Sequence, residues 1–267
     1  MTRSRWILPL VALGLLLIAP PAAAQTAGSV MQDVIARYEE QLVTVETYVI
    51  ETDMYTSYNR KVMKDGAPTY ETKTVLKGQP ALGNGMQAPS SFAQLDMFRK
   101  IGEHGTYRGT ETVDGRTAHV IDVDNPQAVT PDMPPQVEAM TYYVDAAMNV
   151  PVRMTITSNA GQGSAPGTMD ITFSEYQTTE GLTVPHRMTF DMNLGQNMTP
   201  EQKQQMQQMM ERMKNMPDEQ RKQMQQMMGD RFEMMQKMLN DEPIVITVQR
   251  VSVNEPIDAS VFGNGRS

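Results

Sequence analysis

A chain of 267 residues with 31 acidic against 23 basic side chains carries a formal net charge of −8. That balance argues against nucleic acid and anionic membrane surfaces as partners, because both reward basic patches. With no cysteine there is no disulfide, no thiol chemistry and no lipid-modified cysteine, so the protein is not itself a lipoprotein.

The N-terminus reads as a secretory signal peptide. Arg3 and Arg5 form a basic start, residues 7–18 are an apolar run, and Ala22-Ala23-Ala24 is a small-residue processing site. Cleavage is expected after Ala24, leaving residues 25–267 as one exported, periplasmic domain. The apolar run is shorter than the roughly 20 residues that span a bilayer, and no later stretch reaches that length, so no transmembrane segment is expected.

Residues 29–43 are predicted helical, with Ser29 as N-cap and Val30, Val34, Ile35, Tyr38 and Leu42 at helical spacing, the pattern of a helix lying across a sheet. A strand is read over Tyr48–Tyr58, with Tyr48, Ile50, Thr52 and Met54 on one side. A turn at Asp65-Gly66 and a returning strand over Thr69–Lys77 follow. Residues 78–89 are rich in Gly and Pro and read as irregular, and Ser90 opens a short helix carrying Phe92, Leu95 and Phe98. Residues 106–112 and 118–123 flank an Asp114-Gly115 turn as a hairpin. Residues 125–135 are a Pro-rich loop.

Residues 140–192 form the centre of the chain. Val152, Met154 and Ile156 alternate with Arg153, Thr155 and Thr157. Met169, Ile171 and Phe173 alternate with polar neighbours, as do Met188, Phe190 and Met192. Successive strand residues point to opposite faces, so each segment has one apolar side. The connections at 146–149 and 178–181 are too short for parallel crossovers, which makes this an antiparallel meander with one dry face. A last strand covers 244–253, and Ile257 and Phe262 are expected to tuck against the sheet edge.

Between that meander and the last strand lies a methionine-rich insertion. Of the 25 methionines in the chain, twelve fall in residues 197–240, whereas the whole sequence has only 6 Phe. Thr199, Pro200 and Gln202 make a helix start, and Met206, Met209, Met210 and Met213 form one stripe. Pro217 ends this helix and begins a second, with Met224, Met227 and Met228 on its stripe. The expectation is a helical hairpin. Its methionines either pack as core, serve as an adaptable lid, or bind a soft metal such as Cu(I), for which thioethers are suited.

Catalytic motifs are absent: no G-x-S-x-G, no H-E-x-x-H, no P-loop and no dinucleotide fingerprint. His104, His119 and His186 are scattered, so no metal centre or cofactor is expected and the chain reads as a non-enzyme.

Several segments together resemble a known family. They are the hairpin Tyr107-Arg108-Gly109-Thr110 to Asp114-Gly115-Arg116, the strand Tyr142-Tyr143-Val144-Asp145, and Pro151-Val152-Arg153-Met154. Phe173-Ser174-Glu175-Tyr176 with Gly181-Leu182-Thr183-Val184-Pro185-His186, and the closing Val253-Asn254-Glu255-Pro256-Ile257-Asp258, complete the set. In this order they resemble the LolA-like periplasmic proteins, the outer membrane lipoprotein-sorting family. The resemblance implies an α+β fold: a strongly curved antiparallel sheet, a half-open barrel, covered by helices and enclosing an apolar cavity for lipid or lipoprotein acyl chains. It also implies a membrane-borne delivery partner. The expected cavity residues are Ile50, Met54, Met154, Ile156, Ile171, Phe173, Met188 and Phe190, with the methionine stripes as a lid. The competing functions are a Cu(I)-binding protein and a periplasmic holdase chaperone, both acting through the hairpin.

Overall fold

The computed structural model describes residues 25–64, 66–77, 95–131, 133–159, 167–191, 204–205, 208, 211–212, 215–217, 219, 237 and 242–263. The predicted signal peptide, the start of the helix expected at Ser90 and the methionine stripes lie outside them. Within the insertion, Gln204, Gln205, Gln208, Glu211 and Arg212 are helical and exposed, and Asn215 and Met216 form a bend before Pro217.

Helix α1 spans Ala27–Thr44. Its N-cap is Thr26, not Ser29. The Thr26 side chain accepts from the Ser29 amide at 3.1 Å while the Ser29 hydroxyl accepts from the Thr26 amide at 2.9 Å. Ser29 therefore plays the third-residue role of a capping box.

The segment read as one strand is two: β1 (Thr47–Thr52) and β2 (Tyr55–Lys64). The reversal is built by Thr52, whose hydroxyl accepts from the amides of Met54 and Tyr55 at 3.1 and 2.9 Å. A hydroxyl bonding its own downstream backbone makes a turn without Gly or Pro. Strand β3 (Ala67–Leu76) returns from Gly66. Helix α2 covers Leu95–His104, then β4 (Thr106–Val113) and β5 (Arg116–Val123) form the predicted hairpin. Asp114 and Gly115 both have positive φ, 49° and 78°, as a tight primed hairpin turn requires. The loop predicted after it contains one turn of helix, α3 (Pro126–Val129). Strands β6 (Val137–Asp145), β7 (Pro151–Ser158), β8 (Gly167–Thr179), β9 (Leu182–Asp191) and β10 (Ile244–Val253) complete the chain, followed by a short 3₁₀ turn over Ala259–Phe262.

All ten strands form one antiparallel sheet in the order β3-β2-β1-β10-β9-β8-β7-β6-β5-β4. Pairing of β1 with β10 joins the first strand to the last, and among the described residues β3 and β4 have no outer partner strand, so the sheet is not closed. Phe262 was expected at the sheet edge. It lies instead at Arg60 of β2, one strand in from the edge, with the guanidinium 4.2 Å from its ring centre.

The sheet is curved, and the side chains show why it must be. Laid flat, ten strands about 4.8 Å apart would span about 43 Å, far more than the 10–12 Å diameter of a helix. Yet a single apolar cluster joins Val30, Met31, Val34 and Leu42 of α1 to Ile121 of β5, Met140 of β6 and Tyr70 of the edge strand β3. Arg37 and Gln41 of the same helix reach Thr183 of β9. Only a sheet bent around α1 permits both. Helix α2 packs beside α1, and at their crossing a Cβ on Gly102 would stand 3.3 Å from both the Gly28 Cα and the Met31 Cβ. This α+β architecture, a strongly curved open sheet with helices on its inner side, is the one expected from the sequence.

Candidate functional site

Residues directly opposite each other in an antiparallel pair project to the same face. Met154 stands opposite Tyr142 and Ile171, and Ile156 opposite Met140 and Met169. Ile171 stands opposite Phe190, and Phe173 opposite Met188. Those two face Ile244 and Ile246 in turn. Because Met140 and Tyr142 belong to the cluster under α1 and α2, this whole set is on the helix-covered, concave face. Ile50 joins it through Val248.

The structure thus brings the predicted cavity residues to one face. Met54 reaches them by a different route. It sits in the β1–β2 turn rather than in a strand, and packs with Tyr55, Met188, Ile246, Leu76, Phe173 and Phe190. Ile50, Ile171 and Met188 are buried, whereas Met54, Met154, Ile156, Phe173 and Phe190 are half-buried. The predicted lid methionines Met206, Met209, Met210, Met213, Met224, Met227 and Met228 lie outside the described residues.

The opposite, convex face holds a small apolar cluster of Val113, Ala118 and Val152 and is otherwise cross-linked by polar side chains. Asp122 accepts from Arg108 Nε and Thr141 Oγ1, both at 2.8 Å, and Asp170 accepts from Thr155 Oγ1 at 2.5 Å and pairs with Arg153 at 3.0 Å. His119 is not part of that network: it stands opposite Val144 on the concave side, with Tyr107 Oη 3.2 Å from its Nδ1 and Gln25 Nε2 3.4 Å from its Nε2. Among the described residues no three acidic or histidine side chains converge as a metal site would need, and no helix is long and apolar enough to cross a membrane.

An open pocket of about 450 Å³ lies at the far hairpin end, lined by Arg116, Thr117, Asp145, Ala146, Ala147 and Met148. Its buried Asp145 carboxylate is fully engaged. It accepts from the amides of Ala147 and Met148 at 2.8 Å and pairs with Arg116 at 3.5 Å, which makes it a turn-building group.

Sequence reasoning missed the polar side chains of the concave face: Ser57, Asn59, Thr72 and Thr74 on β2 and β3. Reading residues 48–58 as one strand lost the parity that places them there. Tyrosines were also under-read. Burial raises the hydroxyl pKa of Tyr38, Tyr48, Tyr70 and Tyr142, and that of Tyr176 well above its ordinary value. For Tyr55 the rise is to about 12, from burial with Asp53 adding to it.

No family model matches the chain, and no curated protein resembles it in sequence. Solved structures of similar architecture do exist. A DUF1329 family protein from Desulfovibrio piger is 10% identical with a TM-score of 0.46, covering 90% of this chain and 98% of its own. A protein domain named for outer membrane lipoprotein sorting, from Vibrio parahaemolyticus, is 11% identical with a TM-score of 0.48, covering 88% and 95%. A LolA superfamily protein from Nitrosomonas europaea is 10% identical with a TM-score of 0.38, covering 89% and 98%. At such identities the similarity concerns architecture and not activity.

Proposed function

We propose that this protein is an exported carrier that holds a long acyl chain, from a lipid or a lipoprotein, against the concave face of its sheet, in the manner of outer membrane lipoprotein sorting. One observation carries the reading: the strand register unites Met154, Ile156, Ile171, Phe173, Met188 and Phe190 in a continuous apolar surface inside an open sheet. Burying a methylene stabilises by about 0.8 kcal/mol, so about ten methylenes supply roughly 8 kcal/mol before the cost of immobilising the chain. Short acyl groups fall below that cost, and long ones exceed it. The thioethers of Met154 and Met188, unbranched and polarisable, adapt to chains that differ in length. No bond need form or break for this activity.

The test is native mass spectrometry of the protein released gently from the periplasm. Lipid-sized adducts that dissociate on activation are expected, and Phe190→Ser together with Phe173→Ser should remove them while leaving the far-UV dichroism intact. A chain that emerges free of adducts and fails to take up long-chain lipid from micelles overturns the proposal.

A further inference from the structure

The concave face is not uniform. Along Ile121, Met140, Met154, Ile171 and Met188 it is apolar, but on β2 and β3 it carries Ser57, Asn59, Thr72 and Thr74. The register fixes this, since Ser57 stands opposite Ile50 and Thr74, and Asn59 opposite Tyr48 and Thr72. Ser57 and Asn59 are 3% and 0% exposed. A face that served only as core would carry branched apolar residues there, as β10 does at Ile244, Ile246 and Val248, because burying polar groups is costly.

Part of the strip is satisfied internally. Asn59 Nδ2 donates to Ser57 Oγ at 3.1 Å, and Thr72 Oγ1 donates to Asn59 Oδ1 at 2.7 Å. Thr74 Oγ1 differs, being buried with no hydrogen-bond partner. On α1, which lies against this face, the Tyr38 hydroxyl and Gln41 Nε2 are likewise buried and unpartnered, on residues 2% and 4% exposed. The end of α1 is held to the β3 arm by Tyr70, whose hydroxyl donates to Val45 O at 2.9 Å. All three unpartnered groups are neutral donors. Among the described residues the one charged side chain buried this deeply is Asp145, at the far hairpin end.

We propose that the β2–β3 strip is the subsite for the uncharged polar linkage of an acylated ligand, an ester or amide. Its carbonyl oxygen accepts from Thr74 Oγ1 while the hydrocarbon lies along β7–β10. An ionised carboxylate or phosphate is excluded from the strip, since a buried charge without a counter-ion costs far more than a buried carbonyl with a donor. This inference rests on the carrier reading above.

The test compares the full chain with Thr74→Val, which keeps the branched shape and removes only the hydroxyl. Binding of hexadecane, methyl hexadecanoate and ionised hexadecanoate is measured by displacement of an apolar fluorescent dye. The unsubstituted protein should bind the methyl ester about five- to tenfold more tightly than Thr74→Val does, the worth of one neutral hydrogen bond, while both hold hexadecane equally. Equal ester affinity in two proteins that both hold hexadecane overturns the polar subsite and leaves the carrier standing, as does a preference for the ionised acid. A protein that holds neither hexadecane nor ester overturns the carrier reading and this inference with it.

Discussion

The backbone amide of Thr183 donates to Oε1 of Gln41 at 3.3 Å, joining strand β9 to helix α1. Strand β9 pairs with β10 only over residues 187–190, so its first residues have no strand on that side. The helix supplies the missing acceptor, and Arg37 Nη2 adds a 3.0 Å bond to the Thr183 hydroxyl. This side-chain cap lets the sheet fork without exposing an unpaired buried amide. Gln41→Leu should therefore lower stability by about 1–3 kcal/mol, the cost of orphaning a buried donor. Urea unfolding measures it, and an unchanged midpoint would show that the fork needs no cap.

Asn254 ties the end of the last strand to the start of the first. Its Oδ1 accepts from the Glu46 and Thr47 amides at 2.7 and 3.4 Å, its Nδ2 donates to Thr44 O at 3.0 Å, and its φ is 56°. Asn254→Ala loses these bonds and with them the short polar side chain that makes the left-handed conformation tolerable, for a combined cost of about 2–4 kcal/mol. Asn254→Gly relieves the backbone only, so its thermal midpoint should fall between those of the parent and the alanine variant.

Two tyrosines separate bonded from unbonded hydroxyls. Tyr70→Phe removes the bond to Val45 O and should cost about 1 kcal/mol, whereas Tyr38→Phe removes a hydroxyl that has no partner and should be neutral or stabilising. Thermal melts of both variants decide it. Equal losses would contradict the assignment.

Alkaline pH should unfold the protein cooperatively. Tyr55 keeps its proton in the folded state up to about pH 12, from an ordinary value of 10.0, and Tyr38, Tyr48, Tyr70, Tyr142 and Tyr176 shift in the same direction. Above pH 10 the unfolded chain loses these protons and the folded one retains them. The stability contributed is full below pH 10 and declines as pH rises toward the folded values, by about 1.4 kcal/mol per pH unit for each such group. Tyrosinate absorbance should thus appear together with loss of β-sheet dichroism. Smooth titration of these side chains in an intact fold would refute the burial.

Much of the sheet was legible because its signals are local. The Asp114-Gly115 turn announces positive φ in its residue types, and the alternation over 154–156, 169–173 and 188–190 gave the correct parity for the apolar face. Val152 departs from it: the ladder skips it between the Tyr143–Arg153 and Val144–Pro151 pairs, and it packs with Val113 and Ala118 on the other face. The Thr52 turn was not legible, because a hydroxyl that folds back on its own backbone has no distinctive composition. That one miss merged two strands, moved Met54 out of its true setting and hid the polar strip at Ser57 and Asn59.

Sequence alone determined an antiparallel meander with one dry face and an amphipathic helix to cover it, since periodicity and turn chemistry act over a few residues. Which face is concave, and that Met154, Phe173, Met188 and Phe190 share it with Ser57 and Thr74, was decided by tertiary structure. Strand register and curvature depend on contacts between residues more than a hundred positions apart, such as Gln41 with Thr183, and no local pattern encodes them.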